Sequence, residues 1–144
     1  MSLPNFHRVS DELCRGAQPD REGFIHLRET GVKTIISLRY LHTDRWLIRD
    51  LGFQYHHIRM WAWHPEREDI DEFLRTMAVA KIKGELPAIV KCQHGADRTG
   101  TMVATYRVRV QGWSKEDAIK EMMEEKYGFH HIYEEIVLKF LNKL

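Results

Sequence analysis

The sequence predicts an α/β fold, with a central, mainly parallel β-sheet flanked by helices in a single domain over residues 1–144. Three observations predict it. Short β-branched runs alternate with amphipathic stretches, the pattern of βαβ units. No internal repeat, low-complexity segment or Pro/Gly/Ser linker divides the 144 residues, a length that suits one domain with a proper core. Three amphipathic stretches follow one another at the end of the chain, so one face of the sheet is thickly covered.

The elements follow in order. Met1-Ser2-Leu3 reads as partly a cloning remnant. A short strand is expected around Leu13–Arg15, at an edge. Asp20–Thr30 reads as a helix with Phe24 and Leu27 on its inner face. Val32–Leu38 is a run of buried-strand character, with Gly31 as punctuation before it. Thr43–Leu51 is expected to be helical, with Leu47, Ile48 and Leu51 inward. Phe53–Ile58 reads as the next strand. Asp69–Lys83 carries Ile70, Phe73, Leu74, Met77 and Ala78 at helical spacing, with Asp69-x-x-Glu72 as its cap. Ala88–Lys91 is a strand introduced by Pro87. Thr99–Gln111, Ser114–Lys126 and His131 to the C-terminus are the closing helices. Ser114-x-x-Asp117 caps the second, and Gly112 and Gly128 serve as stops.

Composition narrows the function. Lys plus Arg number 22 against 21 Asp plus Glu, a net charge of +1, so no bulk-charge case exists for nucleic-acid or membrane binding. No apolar run approaches the roughly 18–20 residues of a membrane span. No signal-peptide pattern opens the chain, which points to a cytoplasmic protein. Cys14 and Cys92 are the 2 cysteines; they fit neither a zinc pattern nor a disulfide scaffold. The 9 histidines form no HExxH or paired Cys/His spacing, so neither a metal nor a cofactor is expected.

In a parallel sheet, ligands bind beyond the carboxyl ends of the strands. That directs attention to Cys92-Gln93-His94-Gly95-Ala96-Asp97-Arg98-Thr99-Gly100, which follows the strand Ala88–Lys91. A tight loop at a helix N-terminus turns backbone N–H groups into an anion cradle. Gly95 lets the backbone turn sharply or approach a ligand. Arg98 offers a planar fork to phosphate oxygens. The same field favours the thiolate of Cys92, which is then set to attack phosphorus and form a cysteinyl phosphate.

Cys-x5-Arg followed by Thr-Gly resembles the signature of cysteine-dependent protein tyrosine and dual-specificity phosphatases. The resemblance extends through Arg15-Gly16-Ala17-Gln18-Pro19, Lys33-Thr34-Ile35-Ile36-Ser37-Leu38-Arg39 and the helix start at Trp113-Ser114, matching small bacterial, plant and fungal members. It implies a phosphatase-like fold, Cys92 as nucleophile, Arg98 as phosphate clamp and Thr99 as a hydroxyl that bonds the thiolate and helps release phosphate. Gln93, His94, Gly95 and Ala96 would cradle the substrate, with Lys91, Trp63 and Glu66 around it. Two positions depart from the pattern. Lys91 stands where most relatives have His, and His94 where many have a small residue.

A general acid must protonate the leaving oxygen. The loop from Met60 to Asp69, where relatives usually carry an Asp, has none before Asp69. Asp97 is the first candidate, because Cys-x-x-Gly-x-Asp-Arg resembles bacterial phosphatases in which the loop Asp is the acid. Glu66 and His64 are the alternatives, and Asp97 has the alternative role of shaping the loop. Trp61 and Trp63, two apart, either wall the pocket or pack against helices. Cys14 is a buried bystander or an oxidation partner of Cys92. The expected activity is metal-independent hydrolysis of phosphotyrosine, with phosphoserine and phosphothreonine in a shallow pocket, by a monomer whose partners are its phosphorylated protein, lipid or small-molecule substrates. A phosphoinositide or inositol phosphate phosphatase and a weakly active phosphate-binding module are the alternatives.

Overall fold

The computed structural model describes residues 3–144; Met1 and Ser2, the start of the expected cloning remnant, lie outside the described residues. Five strands form one sheet: β1 (His7–Arg8), β2 (Leu13–Gly16), β3 (Thr34–Ser37), β4 (Gln54–His57) and β5 (Ala88–Lys91), in the order β1-β2-β5-β3-β4. Within this sheet of the described residues, β1–β2 pairs antiparallel and the other three pairings are parallel. The expected mainly parallel α/β architecture is therefore present. The helices are α1 (Arg21–Glu29), α2 (Arg67–Lys83), α3 (Asp97–Arg109), α4 (Lys115–Met122) and α5 (Glu134–Leu141).

Strand alternation sorts the apolar residues onto two faces. Ile35, Ile89 and Cys14 meet Phe24 and Leu27 of α1. Ile36, Val90 and Leu13 meet Phe73 of α2 and Met102, Val103 and Tyr106 of α3. A third apolar cluster joins Ala104 of α3 to Ala118 and Met122 of α4 and Val137 and Leu141 of α5. α3 is thus covered by the sheet on one side and by helices on the other, and Thr99–Tyr106 is buried without a break. Side-chain caps fix two helix starts: Asp20 accepts from Gly23 N–H at 2.8 Å, and Ser114 from Asp117 N–H at 3.1 Å.

Four expectations about elements need correction. Leu13–Arg15 is not at an edge: β2 is buried throughout and covered by β1. Thr43–Leu51 forms successive turns rather than a helix, because Asp44 is drawn inward, 0% exposed, to polar partners below the site, while Ile48 and Leu51 still reach the core. α2 starts two residues early, with Glu66 as N-cap and Asp69 at the third helical position, where its carboxylate accepts Glu66 N–H at 3.1 Å. The segment after α4 breaks into 3-10 turns at Glu125–Tyr127 and His131–Tyr133 before α5. Gly128, at φ +75°, makes the break, and Asp97 holds His130 N–H at 2.7 Å on its far side.

Candidate active site

Lys91 ends β5 in register with Gly16 of β2 and Ser37 of β3. The loop 92–96 leaves the sheet there and enters α3. Cys92, the first residue of the loop, is 2% exposed. Gly95 turns the loop at φ +70°, and a Cβ there would lie 2.5 Å from the Gly16 carbonyl carbon and 2.6 Å from Ala17 N. Both the conformation and the close approach demand glycine.

The N-terminal segment orients this loop. The carbonyl of Gln93 accepts from Gln18 N–H at 3.1 Å, that of His94 from Asn5 Nδ2 at 3.0 Å, and that of Gly95 from Arg15 Nη2 at 2.9 Å. None of these donors lines the cleft, so three successive carbonyls are turned away from it. α3 opens behind Ala96 with no side-chain cap. Its first N–H groups are left without intrahelical partners, at the positive end of the helix dipole. Such a helix start beside Cys92 has the chemistry to accept an anion. Thr99 Oγ1 donates to Cys92 Sγ at 3.0 Å.

A cleft of about 640 Å³ opens over the loop. Gln93, His94, Asp97 and Arg98 line it together with Arg39, Tyr40, Trp61, Trp63, His130 and Tyr133. Tyr40 and Trp61 stack at 4.0 Å between ring centroids, and Trp61 and Trp63 at 4.7 Å; the two tryptophans therefore wall the pocket. Arg98 leans on the Met60 carbonyl at 3.5 Å. Arg39 is held by Gln18 Oε1 at 3.1 Å; burial, then the charge of Arg98, pushes its pKa down.

Lys91 does not touch this cleft, contrary to its expected place among substrate-binding residues. Its side chain is 0% exposed, with Nζ 2.5 Å from Asp44 Oδ2 and 2.6 Å from Gln18 Oε1. A charge at the end of a central strand needs such partners, and they hold it beneath the loop. Burial pushes its pKa down to about 8 against the pull of Asp44. Gln18 also donates to Asp44 Oδ1 at 2.8 Å, so one amide joins Lys91, Asp44 and Arg39. Arg15 is a second buried cation, 1% exposed, with its guanidinium 4.1 Å from the Tyr127 ring centroid; burial lowers its pKa.

Glu66 also lies outside the cleft, committed to the start of α2, where it meets His64 at 3.6 Å. Asp97 lines the cleft, but both its oxygens are engaged by His130: Oδ1 by the backbone N–H at 2.7 Å and Oδ2 by Nδ1 at 2.6 Å. Cys14 packs among the α1-facing core residues, away from the Cys92 cluster, and burial pushes its thiol up. Among the described residues, no group of three or more His, Cys, Asp or Glu is placed to hold a metal ion. Sequence reasoning missed Asn5, Arg39, Asp44 and His130. Arg39 had a signal, as the last residue of the Lys33–Arg39 run. The others depend on contacts between distant segments.

Comparison with known proteins agrees with this geometry. The family model described as "DSP-PTPase phosphatase fused to NAD+ Kinase" matches residues 1–139. The chain belongs to this family. The dual specificity protein phosphatase TpbA of Pseudomonas aeruginosa is 32% identical over 128 residues, which is 86% of this chain and 56% of TpbA. The chain thus spans little more than half the length of that relative. A crystal structure of P. aeruginosa TpbA superposes with a TM-score of 0.86 at 26% identity, over 98% of this chain and 85% of the other. A serine variant of TpbA in complex with phosphotyrosine gives 0.84 at 26% identity, over 95% and 82%. Phosphatase-family membership and fold, both expected from the Cys92–Gly100 signature, are thereby established.

Proposed function

We propose that this domain hydrolyses phosphate monoesters, phosphotyrosine foremost, through a cysteinyl-phosphate intermediate on Cys92. The observation that carries the reading is the placement of Cys92 Sγ at the base of an uncapped helix N-terminus, with Thr99 Oγ1 donating to it at 3.0 Å. The phosphoryl oxygens occupy the cradle and take the guanidinium of Arg98. Sγ attacks phosphorus, the ester oxygen leaves with a proton from the Asp97 side of the cleft, and water then cleaves the S–P bond. Thr99 stabilises the departing thiolate in that second step. Gln93, His94, Gly95 and Ala96 bind through the loop itself.

The aromatic wall of Tyr40, Trp61 and Trp63 supports an aryl phosphate, as does the phosphotyrosine complex of the TpbA variant. Phosphoserine and phosphothreonine are secondary substrates. A second reading, a phosphoinositide or inositol phosphate substrate, is favoured by Arg39, which places another guanidinium in the same cleft. A thiolate enzyme also suits a reducing compartment such as the cytoplasm. The test is hydrolysis of a phosphotyrosine peptide and of an inositol phosphate by the wild type and Cys92→Ser, with chelator present. Turnover of the peptide by the wild type alone is expected; turnover by Cys92→Ser at the wild-type rate would overturn the mechanism.

A further inference from the structure

Within the phosphatase reading, the proton has to come from a group in the cleft. Glu66 is outside it, and the segment bearing Trp61 and Trp63 contributes no carboxylate to its lining. Asp97 is 7% exposed, and both its oxygens face His130. His130 itself lines the cleft, with half its side chain exposed. We propose that His130 is the catalytic residue that exchanges the proton with substrate, and that Asp97 is its positioning residue.

The geometry defines the roles of the two ring nitrogens. Asp97 takes Nδ1 at 2.6 Å and the backbone N–H of the same residue at 2.7 Å. A carboxylate that accepts both fixes the ring orientation and the tautomer, leaving Nε2 to carry the exchanging proton. The groups facing the imidazole are Asp97 from α3, His94 from the loop at 5.6 Å between ring centroids, and Tyr133 at 6.3 Å. Arg98 and Arg39 line the same cleft.

The steps balance. As the Sγ–P bond forms and the P–O ester bond breaks, the leaving oxygen takes the proton from Nε2. Neutral His130 then takes a proton from water as the new O–P bond forms and the S–P bond breaks. Inorganic phosphate leaves and the imidazolium is restored. Asp97 is joined to Arg98 by a single peptide bond at the start of α3, so the positioning residue and the phosphate clamp share one rigid stretch of backbone.

The test compares His130→Gln, Asp97→Asn and the wild type on aryl phosphates with phenols of graded acidity. Leaving groups that need no protonation should be spared. For His130→Gln, kcat/KM on phenyl phosphate should fall about 100-fold, while that of a nitrophenyl ester falls much less. The dependence on leaving-group acidity steepens, and inhibition by inorganic phosphate is unchanged. Asp97→Asn should show the same pattern more weakly. Equal losses of kcat/KM on every ester in His130→Gln, or a flat kcat/KM profile there with a steep one in Asp97→Asn, would overturn the proposal. If His130→Gln loses phosphate affinity, His130→Ala with added imidazole replaces it: selective rescue of the poor leaving groups is expected, and no rescue counts against the proposal. Failure of the phosphatase reading looks different, as a wild type inactive on all esters or a Cys92→Ser variant that still turns over.

Discussion

Lys91→Met removes one charge from the buried pair beneath the loop and keeps most of the volume. Asp44 is then left 0% exposed without its cation. Breaking a buried pair on one side costs about 3–5 kcal/mol. Asp44 keeps Gln18 Nε2 at 2.8 Å and His42 Nε2 at 3.1 Å, which places the expected loss at the low end, about 3 kcal/mol. With a urea m-value of about 2 kcal/mol/M, the midpoint should fall by about 1.5 M with m unchanged. Lys91→Met/Asp44→Asn should recover much of this, giving a coupling energy of about 2 kcal/mol in a double-mutant cycle. A single variant within about 0.5 kcal/mol of wild type, the scale of an ordinary surface substitution, would refute the buried-pair reasoning.

Three further outcomes follow from the site. Thr99→Val deletes the 3.0 Å hydrogen bond to Cys92 Sγ and should lower kcat about 10-fold, with burst kinetics showing accumulation of the phosphoenzyme. Gly95→Ala forces a Cβ to 2.5 Å from the Gly16 backbone; phosphate binding should be lost, as measured by competitive inhibition, while far-ultraviolet circular dichroism stays native. Trp63→Ala removes the outer ring of the Tyr40–Trp61–Trp63 stack and should raise KM for aryl phosphates about 3–10-fold, leaving an alkyl phosphate unaffected.

The parts of this molecule that can be read from sequence are those set by local pattern. Short continuous apolar runs located β3 and β5, which are buried throughout, and helical spacing located α1; each signal is visible in ten residues or fewer. The loop from Cys92 to Gly100 was legible because glycine, arginine and the nucleophile fall within nine consecutive positions. Thr43–Leu51 misled for a tertiary reason: its apolar spacing fits a helix, but burial of Asp44 against Lys91 overrides propensity. The role of Lys91 was misjudged for the same reason, since its charge is used 2.5 Å from a carboxylate 47 positions earlier. Asn5 and His130 carry no local signature; Asn5 reaches the His94 carbonyl at 3.0 Å, a contact across 89 positions.

Rapid acid quench with an aryl phosphate radiolabelled on phosphorus, followed by peptide mapping, reads whether the phosphoryl group passes through Cys92. Label is expected on the peptide containing Cys92 in the wild type, more of it in Thr99→Val, and none in Cys92→Ser. Full turnover with no labelled cysteine at any quench time in Thr99→Val, or turnover surviving in Cys92→Ser, would contradict passage through Cys92.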